Sequence, residues 1–382
     1  MKKKMVAAVV LPLVLGASAA LAMGSAPSDE DIFKGTGQVM KPTNTITSLV
    51  KVTKVNQNVY PKISQSGDVV FQSIAPNTDQ KTDDQGNQIN PGSFNLYISN
   101  GYSFRTVTND KNNNENPGFV NGSKVIFNSD RLGGEKIWIC DASGKGGIIQ
   151  LTSGAQSDLM PDVSPDGKKV VYCSFSKPYT QPLSVVDYGA RWKVFAAWGE
   201  TPSIWMVDID GRNLTQFYEG IRPTWSPDGK KIAFYKPTGK NYQIWLMDAD
   251  GANQTQITNG DYNSIEPAWT PDGRLVFASN QAGNYDIWSI KTDGTELTQL
   301  TVQDSYDGAP ACSPDGKYIY FHSFLGGSWN IWRMELAQPF IAAPAAVSTV
   351  TTGGVVTSET VATPEAPAPK PAAKPAKGKT KP

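Results

Sequence analysis

The chain has 382 residues with 35 basic and 35 acidic side chains, one histidine and three cysteines. A formal net charge of zero leaves no electrostatic basis for a nucleic-acid partner, and a single imidazole excludes a metal centre built on several histidines. The 14 tyrosines, 14 phenylalanines and 35 glycines suit many short strands joined by tight turns.

Met1-Lys2-Lys3-Lys4, an apolar run over residues 5–15 and small residues ending at Ala22 follow the three-part pattern of a secretory signal peptide. The alternative is an uncleaved anchor, but the run is short for a bilayer span and Pro12 interrupts it. Residues 1–22 are therefore expected to be a signal peptide cleaved near Ala22, followed by a linker over residues 23–42. The expected location is the periplasm or the outside of a bacterial cell.

From residue 43 the sequence repeats itself. A motif of the form Pro-x-Trp-Ser-Pro-Asp-Gly-Lys-Lys-Ile-Ala-Phe recurs with its leading proline at 161, 223, 267 and 310, and degenerate copies start at Pro61 and Pro117. The steps of 56, 44, 62, 44 and 43 residues give a basic period near that of a four-stranded propeller blade, with two insertions. In each unit the proline opens the innermost strand and Ser-Pro-Asp-Gly makes a tight hairpin, with glycine in the left-handed position. The apolar run that follows is strand two, and strand three carries Ile-Trp (137–138, 204–205, 244–245, 287–288 and 331–332). An Asp-Gly turn leads to a short outer strand such as Thr298-Gln-Leu-Thr301. The last unit stops after Met334 without an outer strand, whereas a spare strand, residues 45–50, precedes the first. The expected fold is an all-β, six-bladed β-propeller of four-stranded antiparallel blades over residues 43–337, its ring closed by the N-terminal strand.

These repeats, with the Phe-x-Ser that ends strand two (Phe127 to Ser129, Phe277 to Ser279) and the loop Ser129-Asp-Arg-Leu-Gly-Gly134, resemble the TolB-like, WD-repeat-like propeller family. The resemblance covers the propeller portion alone, without the α/β domain that precedes it in TolB. It implies the fold strongly and the function weakly, because such propellers serve binding proteins, peptidase gating domains and polysaccharide-active enzymes.

Residues that could carry chemistry read more readily as structure. His322 falls at a repeat position held elsewhere by Gln72, Asn128, Cys173, Tyr235 and Ala278. The Asp-x-Asp-Gly-x-Asn runs at 208–213 and 248–253 suggest calcium loops but lack the continuation to a bidentate glutamate, and Asp-Gly is what a hairpin turn there requires. Cys140 and Cys312 occupy apolar slots, and Cys140 with Cys173 is the one pairing worth testing. No catalytic residue, metal or cofactor is expected.

Topology places the tight hairpins on one face, the bottom. The links between blades and both insertions then share the top. The first insertion, residues 75–93, is polar. The second, residues 175–202, carries Tyr179, Tyr188, Arg191, Trp192, Lys193, Phe195 and Trp198, the residue types of binding hot spots. Such a loop either presents these side chains to a partner or buries them against the ring. Tyr60, Arg222, Tyr262, Asn263, Glu266, Tyr306 and Asp307 are expected along the same rim and channel mouth. Residues 338–382 form an Ala/Pro/Lys-rich tail expected to be disordered, either solubilising or reaching an anionic polymer through Lys370, Lys374, Lys377, Lys379 and Lys381. The sequence thus suggests a non-enzymatic envelope protein that binds a protein or peptide at the propeller's top face. A tail-tethered glycan-binding protein and a polysaccharide-active enzyme are the alternatives.

Overall fold

Strand two of every repeat is apolar on both faces, so each repeat can bury itself only between two others. A computed structural model describes residues 45–53, 57–74, 93–101, 103–176 and 202–341, which hold 24 strands and no helix. Within them, six four-stranded antiparallel sheets form the six-bladed propeller. Blade 1 comprises β2 (Gln57–Ile63), β3 (Val69–Ile74), β4 (Phe94–Ser99) and β5 (Phe104–Thr106). Blade 2 comprises β6 (Asn114–Asn121), β7 (Lys124–Ser129), β8 (Lys136–Asp141) and β9 (Ile149–Gln150). Blade 3 comprises β10 (Ser157–Val163), β11 (Lys169–Phe175), β12 (Ser203–Asp208) and β13 (Thr215–Glu219). Blade 4 comprises β14 (Ile221–Trp225), β15 (Lys231–Thr238), β16 (Asn241–Asp248) and β17 (Thr255–Gln256). Blade 5 comprises β18 (Ser264–Trp269), β19 (Leu275–Ser279), β20 (Asp286–Ile290) and β21 (Thr298–Gln299). Blade 6 joins β22 (Asp307–Cys312), β23 (Tyr318–Ser323) and β24 (Asn330–Leu336) to β1 (Ile46–Lys51), so the N-terminal strand closes the ring as the sequence predicts.

Two side-chain devices recur. In the first hairpin, Ser164 Oγ donates to Asp166 (2.7 Å) and accepts from the Lys169 amide (2.9 Å), while Gly167 takes φ 73°. Ser226 with Asp228 and Ser313 with Asp315 repeat this lock. In the second device, a threonine beyond the outer strand accepts from the amide of the strand-three Ile or Leu. Thr108, Thr152, Thr258 and Thr301 do so for Leu96, Ile137, Ile244 and Ile287 at 2.8–3.0 Å. In blade 6 the threonine is Thr53, supplied from beyond β1, which accepts from Ile331 at 2.9 Å and so repeats the contact across the closure.

The two kinds of hairpin turn meet on one face: the Ile209 amide donates to Lys168 O at 2.8 Å and that of Ala249 to Lys230 O at 2.9 Å. The long connections β3–β4 and β11–β12 leave from the opposite, top face. Their residues 75–92 and 177–201 lie outside the described residues, and so do residues 1–44 and 342–382. The core consists of layers between blades. Cys140 packs in the layer of blades 1 and 2, and Cys173 in that of blades 3 and 4, so these thiols do not face each other. Both are free. Burial raises them to about 11 and about 12.

One joint between blades departs from its equivalents. The residue before Ile-Trp of one blade meets the residue three before the proline of the next. Between blades 2 and 3 this is a buried ion pair, Lys136 Nζ to Asp158 at 3.1 Å. Between blades 1 and 2 it is Asn114 donating to Asn95 at 3.3 Å. Between blades 5 and 6 both residues are acids, Asp286 and Asp307. Asp307, expected at the rim, is instead fully buried and accepts from Ser305 and Gln303. Burial, opposed by bonds from Thr301, Gln299 and Asn284, lifts Asp286 to about 7. Burial, opposed by Ser323 and Thr301 and reinforced by the charge of Asp286, lifts Asp307 to about 7.

Two predictions follow from the closure and this joint. Deleting residues 46–53 should abolish cooperative urea unfolding followed by circular dichroism; an unchanged midpoint would contradict closure by β1. The folded state holds protons on Asp286 and Asp307 that the unfolded chain, with ordinary carboxyls, releases at lower pH. Their contribution is therefore complete at about pH 4 and is lost as pH rises through about 7. Asp307→Asn should lose less stability than the native protein between about pH 5 and about pH 8. Parallel slopes would show that the pair does not titrate in this way.

Candidate functional site

The residue before each repeat proline is Tyr60, Asn116, Met160, Arg222, Glu266 or Ala309, and all six have φ between 46° and 56°. Left-handed backbone is unfavourable for residues with a Cβ and must be held by its surroundings. In every blade it coincides with a bulge in the pairing of strands one and two, which re-aims the side chain. It also turns the amide toward the preceding blade. The amide of Asn116 donates to Gln72 (2.6 Å), that of Met160 to Asn128 (3.3 Å) and that of Tyr60 to His322 Nδ1 (3.3 Å). In blade 3 the slot holds Cys173, whose thiol donates to Leu159 O at 3.4 Å. In blade 5 the acceptor position holds Ala278, and Glu266 takes its place by accepting from the Ala309 amide at 2.7 Å.

This assigns a purpose to the slot of His322. It is the acceptor position of a ring-wide latch, and accepting at Nδ1 puts the ring proton on Nε2. Around the ring the slot holds Gln, Asn, Cys, Tyr, Ala and His, and Gln72, Asn128 and His322 accept in the structure. The polar acceptors were a signal available in the sequence, obscured by Ala278.

With the backbone held, the side chains of the left-handed residues converge. Blades 1 and 4 stand three apart in the ring, yet the Arg222 guanidinium lies 4.4 Å above the centre of the Tyr60 ring. It also donates to Asn116 Oδ1 of blade 2 at 3.3 Å. Such contacts are possible only across the propeller axis. Tyr60 packs edge-on against His322 (5.1 Å), which meets Tyr306 (5.8 Å) and Trp329 (5.1 Å). Tyr285 continues the cluster against Tyr306 at 4.9 Å. Burial holds the phenols of Tyr235 and Tyr306 well above their usual range, with the nearby Glu266 charge as the next cause.

Of the residues expected at the mouth, Tyr60, Arg222, Glu266 and Tyr306 therefore come together. Asn263 and Tyr262 serve the top link instead. Asn263 accepts from the Tyr242 amide at 2.9 Å, and the Tyr262 hydroxyl donates to Asn259 O at 3.0 Å. Tyr262 remains partly exposed. Tyr179, Tyr188, Arg191, Trp192, Lys193, Phe195 and Trp198, and the tail lysines, lie outside the described residues. The aspartates of the two supposed calcium loops are engaged by the turns: Asp208 accepts from Asn213 (2.6 Å) and Lys169 (3.0 Å), and Asp248 from Asn253 (2.7 Å) and Lys231 (2.9 Å).

Comparison with known proteins agrees with this architecture. Residues 194–366 match the TolB beta propeller domain. An uncharacterized protein of Agrobacterium fabrum is 32% identical over 151 residues, 37% of this chain and 46% of that protein. The chain spans less than half the length of the curated relatives it matches. A structure from Agrobacterium tumefaciens designated TolB superposes with a TM-score of 0.52 at 18% identity, covering 75% of this chain and 96% of the other. The fold is also that of an enzyme, oligogalacturonate lyase in complex with manganese, with a TM-score of 0.50 at 16% identity over 76% of this chain and 93% of the other. The repeat, the six closed blades and the matched segment together show a β-propeller similar to the TolB beta propeller domain.

Proposed function

We propose that this protein is a non-catalytic binding module of the bacterial cell envelope, exported by its leader, that holds a protein or peptide partner at the top face around the channel mouth. The observation that carries the reading is the ring of left-handed residues. Their backbone is the same in all six blades, so the fold requires the conformation and not the side chains, yet those side chains are Tyr, Asn, Met, Arg, Glu and Ala. Chemical variety at one structural position, gathered at an axis, is what a recognition surface needs. The aromatic insertion of blade 3 leaves from the same face.

Binding is favoured over catalysis by what the reactive groups near the mouth already do. His322 Nδ1 accepts from Tyr60, and the Glu266 carboxylate accepts from Ala309. Burial raises the Cys173 thiol to about 12, too high for a nucleophile at neutral pH. What these engagements leave partly exposed are the rings of Tyr285 and Tyr306 and the Arg222 guanidinium, which bind rather than react.

The test is site-specific photocrosslinking in intact cells. A photoreactive residue at Tyr262 on the top face should repeatedly trap one envelope protein, and the same residue at the exposed bottom-turn Lys230 should not. Equal capture from both faces, or none from the top, would contradict the proposal.

A further inference from the structure

We infer that the channel mouth is a receptor for a single carboxylate, gripped by Arg222; the inference rests on the binding role proposed above and names the chemistry it selects. A guanidinium carries five N–H donors in a planar fork. Arg222 uses one of them, toward Asn116 Oδ1, and it has no carboxylate within ion-pair distance among the described residues. Arg131, Arg212 and Arg274, by contrast, each pair with an aspartate of the propeller at 2.5–3.3 Å. Arg222 is half-buried at the axis, so water compensates its charge only in part.

Its geometry is set before any ligand arrives. The backbone of Arg222 is held left-handed at φ 51° beside the bulge, and the Tyr60 ring supports one face of the guanidinium at 4.4 Å. A fork held in place loses little entropy on binding, and its edge matches the two oxygens of a carboxylate. The fold does not ask for a cation here, since the five equivalent positions hold none. The charge of the ligand is limited as well. Glu266 occupies the equivalent left-handed position of the next blade, so a second negative charge on the ligand would meet its carboxylate. A carboxylate on a peptide could be a side chain or a chain end.

The experiment presents the full-length protein with three peptide sets. One bears Asp or Glu with an amidated end, one is neutral with a free C-terminus, and one is neutral and amidated. Binding is expected in one or both acid-bearing sets and not in the third, and which set binds identifies the source of the carboxylate. Arg222→Gln should weaken that binding by at least about tenfold with unchanged melting, and Arg222→Lys by less. Should Arg222→Gln fail to fold, an excess of the monocarboxylate sodium propionate at constant ionic strength should displace the bound peptide from the native protein; no displacement would overturn the inference. Neutral amidated peptides that bind the native protein and Arg222→Gln alike would overturn it while leaving the peptide-binding role intact. No binding in either acid-bearing set would also overturn it.

Discussion

The structure depends on an amide that leaves its own blade. Before each repeat proline the chain turns left-handed, and in four blades that residue's N–H is seen to reach an acceptor of the preceding blade. A left-handed residue with a Cβ, followed by proline, is unfavourable taken alone. It persists because the bulge and the bond to the preceding blade determine it from both sides. The acceptors Gln72, Asn128, Glu266 and His322 are buried, so a lost bond would leave a polar group without water. The ring therefore coheres at its narrowest circumference, while the apolar layers hold the blades further out. Closure by β1 and the Thr53 contact serve the same end at the seam, where an open edge would otherwise remain.

A latch made by the backbone fixes the amide and leaves the identity of the side chain open. One repeated element can thus be structural in its amide and, in the proposed reading, recognitive in its side chain. Tyr60 and Arg222 meet across the axis on backbones of the same left-handed form. The latch also uses up groups that would otherwise suggest chemistry, the His322 imidazole and the Glu266 carboxylate among them. The TolB-like fold is thereby shared with an enzyme without implying catalysis here.

The number of blades, the hairpin turns and the closing strand were legible in the sequence because each rests on local rules repeated many times. Ser-Pro-Asp-Gly specifies its turn wherever it occurs, and a missing outer strand at one end with a spare at the other has one economical solution. That Tyr60, Arg222, Glu266 and Tyr306 sit near the links between blades was legible as well; that Arg222 crosses the axis to the Tyr60 ring was not. The left-handed residue was not, because nothing about Tyr, Arg or Glu before proline announces it. Asp307 was misplaced for a related reason. Adjacent to Tyr306 and acidic, it reads as a rim residue, but strand alternation turns it into the joint with Asp286, and only the equivalence with Lys136 and Asp158 identifies that joint. The role of His322 was hidden by the one repeat in which the acceptor had moved to Glu266.

The most direct test of this account is native-state hydrogen exchange at the amides of Tyr60, Asn116, Met160 and Ala309 in the full-length protein. If the latch holds the ring as one unit, these four amides exchange only through global unfolding and share a single opening free energy with the amides of β1. If instead each exchanges at its own lower free energy while strand two of its blade stays protected, the blades open singly. The claim that the latch unites the ring and fixes its mouth would then be wrong.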